Sequence, residues 1–185
     1  VTVSADISGR VVALDARENQ HVAEGDVLFQ LDPEPLQIAV DRARANVEST
    51  KNEIIGLKSA YGQRQEDLKA AESTAGLTQR ELKRREKLVA DKIISQSDYD
   101  EARNNYDVAS RQVAGIHQDM DRIISELGGD PNIDPEQHPK YRAAQAALDQ
   151  AELDMRHGTV RAPTAGVVAQ VDNLRPGDYI SAGAP

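Results

Sequence analysis

The sequence predicts an α+β protein in which a long antiparallel α-helical coiled-coil hairpin is inserted between two halves of one small β domain. Three observations predict it. Apolar residues recur at alternating intervals of four and three over most of residues 36–155, the spacing of a coiled-coil seam. That pattern breaks between Ala90 and Gln96 and then resumes, as a chain does when it reverses direction. The two ends of the chain also carry the same short, glycine-punctuated strand pattern. With Gly166 placed on Gly9, Ala162 falls on Ala5, Val168 on Val11 and Val171 on Leu14. After a one-residue gap, Ile180 falls on Val22 and Gly183 on Gly25. Each half is too small to bury a core alone, so the two should combine into one β unit of about 60 residues, near the lower limit of independent stability.

Composition agrees with an elongated helical chain. Only 3% of the 185 residues are aromatic while 29% are charged, so a narrow seam between helices is easier to build than a wide core. The net charge of −9 argues against a nucleic-acid or anionic-lipid surface, which needs a basic stripe. With no cysteine, disulfides, zinc-thiolate sites and thiol nucleophiles are excluded, and an oxidising compartment is permitted. No run approaches the roughly 18 apolar residues of a membrane span.

Taken in order, residues 1–32 form the first β half. Val1, Val3 and Ala5, then Val11, Val12 and Leu14, then Val22 and Val27 to Leu31 suit short half-buried strands, with Ser8-Gly9 and Glu24-Gly25-Asp26 as turns. Asp32 and Pro33 are an N-cap and a first helical residue.

The hairpin occupies residues 33–157. Arm 1, residues 33–89, carries Leu36, Val40, Ala43, Val47, Ile54, Leu57, Tyr61, Leu68, Ala71, Ala75, Leu82 and Val89 on its seam, with polar Thr50, Arg64, Thr78 and Arg85 in intervening slots. As a continuous helix it would be about 85 Å long. The tip is residues 90–96. Ser97 and Asp98 are positioned to cap arm 2, residues 97–157, with seam residues Tyr99, Ala102, Tyr106, Ala109, Val113, Ile116, Met120, Ile123 and Leu127, and later Tyr141, Ala144, Leu148, Ala151 and Met155. Residues 128–139, with three prolines and a Gly-Gly pair, must interrupt that arm opposite roughly Ile55 to Gly62, where a bend or bulge is expected. Residues 158–185 form the second β half, whose alignment with the first stops just before the counterpart of Leu28, so one further strand is expected beyond Pro185.

The segments SGRVVALDARENQHVAEGDVLFQLDP and RAPTAGVVAQVDNLRPGDYISAGAP, separated by such a hairpin, resemble the split lipoyl (biotinyl-like) domain of the membrane fusion proteins, the periplasmic adaptors of tripartite efflux and type I secretion systems. The resemblance covers the whole chain, and LGGDPNIDPEQHPKYRAAQAALDQAELD looks closest to the EmrA-like branch. It implies a periplasmic protein, anchored to the inner membrane by a segment outside these residues and self-associating into a ring or tube. Such a protein joins an inner-membrane transporter, of major-facilitator type in that branch with ABC and RND types as the alternatives, to a TolC-type outer-membrane channel. In that family the hairpin tip docks through an R-x-x-x-L-x-x-x-x-x-x-S pattern, which Arg84, Leu88 and Ser95 match. Arg84 could donate charge-assisted hydrogen bonds, Leu88 could fill an apolar notch, and Ser95 offers a compact polar contact.

Other readings are weaker. Lys83 to Lys87 would in any case be a solvated basic patch favoured near a helix C-terminus, and a coiled-coil tether with no conduit role is the competing function. A lipoyl-type carrier would need a lysine where the halves meet; Leu28 to Leu36 contains none, so no covalent cofactor is expected. Asp130, Asn132 and Asp134 imitate a calcium loop, but Pro135 and Tyr141 stand where that loop needs Gly and Glu. His21, His117, His138 and His157 lack metal-ligand spacing and are expected on the surface. No carboxylate pair singles out an acid and a base, so no enzymatic activity is expected.

Overall fold

The computed structural model describes residues 2–169 and 174–183. Its elements are β1 (Gly9–Leu14), β2 (His21–Val22), β3 (Val27–Leu31), α1 (Pro33–Ala90), α2 (Gln96–Glu126), a 3-10 turn (Pro135–Gln137), α3 (Pro139–His157), β4 (Thr159–Arg161), β5 (Gly166–Val167) and β6 (Tyr179–Ile180). The chain divides into two compact units, Val1–Thr50 with Lys140–Pro185, and Lys51–Pro139.

The first unit contains all the β structure. A four-stranded sheet runs β4-β3-β1-β6, and β2 pairs with β5 in a second, two-stranded sheet. Between them Ala5, Val11, Ala16, Leu28, Phe29, Leu31, Val160 and Ala162 are buried, with Val22, Val168, Leu174 and Ile180 packed against them. Residues 2–8 form no strand, contrary to the alternation of Val3 and Ala5; both still face this core, and Ala5 is only 1% exposed. The bend at Asp6 and Ile7 takes this segment out of the ladder.

The internal repeat is a two-fold relation in the hydrogen bonding. Gly9 pairs with Ile180, and its counterpart Gly166 pairs with Val22, the counterpart of Ile180. The Val11 amide donates to Asp178 O at 2.8 Å, as that of Val168 donates to Gln20 O at 2.9 Å. Val11 O accepts from Gly177 N, and Val168 O from Asn19 N, both at 2.8 Å. Ala5 O accepts from Gly183 N and Ala162 O from Gly25 N, again both at 2.8 Å. Even the backbone exception is shared: Asn19 and Gly177 are both left-handed, at φ +62° and +102°. Each half thus supplies the edge that the other lacks, which a half alone could not satisfy. The correspondence of Val171 with Leu14 lies outside the described residues.

Helix α1 opens as expected, with Asp32 Oδ1 accepting from Glu34 N at 3.0 Å. Within the first unit its early turns pack on α3, burying Val40, Val47, Ala144 and Leu148 with Ala43, Tyr141 and Ala151 against them. Met155, expected on this seam, is instead 36% exposed. Leu36 lies against Gly158, where a Cβ would come within 2.7 Å of its Cδ1, so the seam closes there and Met155 is left at its margin.

In the second unit, α1 and α2 pair through Ile54, Ala71, Ala102, Ala109, Met120, Ile123 and Leu127, all buried. Three of these are alanines, the small residues that let helices approach closely. The polar seam slots have local solutions. Thr78 Oγ1 donates to Thr74 O and Ala75 O at 3.1 and 3.0 Å, and Arg64 reaches Asp67 at 3.0 Å and Asp119 at 3.6 Å. The interruption falls at residues 127–138, while α1 stays helical through Gly56 and Gly62. Lys58 Nζ donates to Ile133 O at 2.8 Å and Lys51 Nζ pairs with Glu136 at 2.8 Å, so two lysines of α1 hold the loop.

His138 departs from the expectation of a surface histidine. It is 3% exposed, and its Nε2 lies 3.1 Å from Glu126 O, an orphan carbonyl at the end of α2. Asp130 and Asp134 accept from the amides of Asn132 and Glu136 at 2.8 and 3.0 Å, so both carboxylates serve as local turn caps.

Candidate partner-binding site at the hairpin turn

The turn between α1 and α2 is tied at three points. Helix α1 ends with Lys92 N donating to Val89 O at 3.0 Å and Ile93 N to Leu88 O at 2.9 Å. These two bonds satisfy carbonyls that the helix end leaves open. Helix α2 opens with a capping box. Ser95 Oγ accepts from Asp98 N at 3.2 Å, while Asp98 Oδ2 accepts from Ser95 N at 3.1 Å and from Ser95 Oγ at 2.6 Å. These hydrogen bonds from Ser95, first the side-chain one and then the backbone one, hold the Asp98 carboxyl below its ordinary value.

The N-cap is therefore Ser95, two residues before Ser97. Both serines stand three residues before an aspartate, so the capping-box spacing alone does not choose between them. The flanking apolar residues do. With Ser95 as cap, Ile94 and Tyr99 take the positions of a hydrophobic staple, and both are half-buried; with Ser97 those positions would fall on Gln96 and Glu101.

Arg85 is the third tie. Its Nε donates to Glu81 at 2.7 Å, and its Nη1 donates to Asp98 O in the first turn of α2 at 3.0 Å and lies 3.9 Å from Glu101. Its stem is half-buried on the seam, so the guanidinium joins the two helices where an apolar residue would only fill space. Glu81 is held below the ordinary glutamate range, first by the hydrogen bond from Arg85 and then by that from Arg84, and Arg85 is raised in turn. Sequence spacing finds the Arg85–Glu81 pair but not the link to Asp98 O, because register across the turn is not visible in the spacing along one helix.

The three residues of the tip pattern sit in different environments. The Arg84 side chain is 70% exposed and is ion-paired to Glu81. Leu88 is half-buried and contributes its carbonyl to the end of α1. Ser95 is exposed as a residue, yet its hydroxyl and amide are both engaged by Asp98. Arg84 thus presents an exposed guanidinium, whereas Ser95 is committed to holding the turn.

A β unit closed by exchange between two related halves, with an antiparallel helical hairpin between them in the chain, defines a class: the barrel-sandwich hybrid with a hairpin insertion. A family model described as RND MFP, barrel-sandwich hybrid domain, matches residues 1–185. The chain belongs to the membrane fusion protein family. It is 26% identical to the multidrug resistance protein MdtN of Escherichia coli K12, over 100% of this chain and 54% of that protein. Against the multidrug export protein EmrA of Haemophilus influenzae the identity is 24%, over 99% and 46% respectively. The solved periplasmic adaptor EmrA shares the fold at a TM-score of 0.51 and 17% identity, covering all of this chain and 69% of that one. The chain spans about half the length of the curated relatives it matches. Among the described residues no helix is long and apolar enough to cross a membrane.

Proposed function

We propose that this chain is the hairpin and β portion of a periplasmic adaptor that joins an inner-membrane transporter to a TolC-type outer-membrane channel, in multidrug efflux or type I secretion. Residues 1–32 and 158–185 act as the two β halves, and 33–157 as the hairpin that presents the tip. A segment outside these residues anchors the protein to the inner membrane. Copies associate side by side into a ring or tube around the conduit, with a transporter of major-facilitator type favoured.

One observation carries this reading: Arg84 and Leu88, in the last turns of α1, and Ser95, at the cap of α2, flank the hairpin turn of a chain that the family model matches from end to end. The roles divide by environment. Arg84 supplies an exposed guanidinium that can exchange Glu81 for a partner's carboxylate or carbonyl. Leu88 offers part of its side chain to a notch, and Ser95 keeps the turn in shape. Site-specific crosslinking from position 84 in cells tests it. A covalent adduct with the channel is expected; no adduct, together with unimpaired export when Arg84 and Leu88 are both replaced by alanine, refutes it.

A further inference from the structure

The turn contains a second feature, outside the Arg84, Leu88 and Ser95 pattern. The same two-bond closure ends both α1 and α2. At α2, Gly128 N donates to Ser125 O at 3.1 Å and Gly129 N to Ile124 O at 2.8 Å, with Gly128 left-handed at φ +78°. At α1 the corresponding left-handed residue is Lys92, at φ +59°. Glycine enters that backbone region without steric cost, whereas the Cβ of lysine crowds the following carbonyl. One chain therefore closes one helix with the residue that stability favours, and the other with a strained cation.

The next residue, Ile93, is 66% exposed, while its neighbour Ile94 is half-buried. A bare β-branched side chain thus follows the strained cation, on backbone fixed by the α1 closure before it and by the α2 capping box soon after. Between Glu81 and Ile93 there are five cations and three carboxylates, a local excess of two positive charges in a chain of net charge −9.

We propose that Lys92 and Ile93 form a two-residue docking element, in which Ile93 enters an apolar recess on a protein partner and Lys92 meets a carboxylate at its rim. This rests on the tip-docking function above and extends it to residues outside the Arg84, Leu88 and Ser95 pattern. A single isoleucine offers too little apolar surface to hold a bilayer. An apolar anchor beside a charge on a preorganised turn suits a protein recess, because little freedom is lost on binding.

The test uses the full-length protein and the TolC-type channel of the same organism, immobilised in detergent, with affinity read by interferometry and folding by thermal melts. Ile93→Ser is expected to weaken binding by about tenfold or more with an unchanged melting temperature. Lys92→Gly is expected to raise the melting temperature yet weaken binding and flatten its salt dependence. If both variants bind within about twofold of the parent while Arg84→Ala and Leu88→Ala lose binding, this inference falls and the tip-docking function stands. If all four bind like the parent, both fall. Ile93-dependent binding to phosphatidylglycerol vesicles, with none to the channel, overturns the protein recess in favour of a lipid surface.

Discussion

Replacing Ser95 by alanine separates the two roles that this residue could have. The substitution removes the oxygen that accepts from Asp98 N at 3.2 Å and the hydroxyl that donates to Asp98 Oδ2 at 2.6 Å, while the Ser95 amide keeps its bond to Asp98 at 3.1 Å. Loss of an N-cap hydroxyl costs about 1 kcal/mol. For a chain of 185 residues that lowers the midpoint of thermal unfolding by about 2–4 °C. Ser95→Thr, which keeps both the accepting oxygen and the hydroxyl that donates to Asp98, should recover most of the loss. The pH dependence gives a further check. Asp98 is depressed in the folded state by its bonds from Ser95, so its contribution is present above the ordinary Asp value and is lost as pH falls through the lower folded value. The gap between Ser95→Ala and the parent should therefore be full at neutral pH and narrow below that window. Circular dichroism melts across pH measure it. An unchanged midpoint for Ser95→Ala, or equal destabilisation by Ser95→Thr, refutes the capping role.

Three further substitutions probe the packing. Gly158→Ala would place a methyl 2.7 Å from Leu36 Cδ1 and 3.1 Å from Met155 O, and overpacking of this kind costs about 1–3 kcal/mol; urea unfolding should show a lower midpoint at unchanged slope. Ile54→Ala empties a seam position only 1% exposed and should cost about 2–5 kcal/mol, whereas truncating the 54%-exposed Ile38 should change stability by no more than about 0.5 kcal/mol.

The seams were legible because coiled-coil spacing is a local property. Every expected position of α1 and α2 is at least half-buried; in α3 Met155 is the exception, because its neighbour Gly158 admits Leu36. The β repeat was legible for a different reason. Its glycines and small residues mark backbone positions, and those positions recur in matched hydrogen bonds such as Gly25 to Ala162 and Gly183 to Ala5. What stayed hidden depends on register between elements. Arg85 reads as a polar slot until α2 brings Asp98 O within 3.0 Å, and His138 reads as a loop residue until the interruption folds back on Glu126 O. The cap is expected at Ser97 with Asp98 but falls at Ser95, and the staple positions of Ile94 and Tyr99 are the signal that picks out the right serine.

The tip divides in the same way. The family resemblance singles out Arg84, Leu88 and Ser95, but only the fold gives the first an exposed guanidinium paired to Glu81 and the last a capping duty. A crosslinking probe therefore belongs at Arg84 and not at Ser95, where it would loosen the turn it is meant to report on.

The most direct measurement is a photo-reactive side chain at position 84 of the full-length protein in living cells. The proposed function predicts an adduct with the outer-membrane channel, lost when Leu88 is also replaced. Failure to capture the channel, with export intact in the Arg84→Ala, Leu88→Ala double variant, would contradict it.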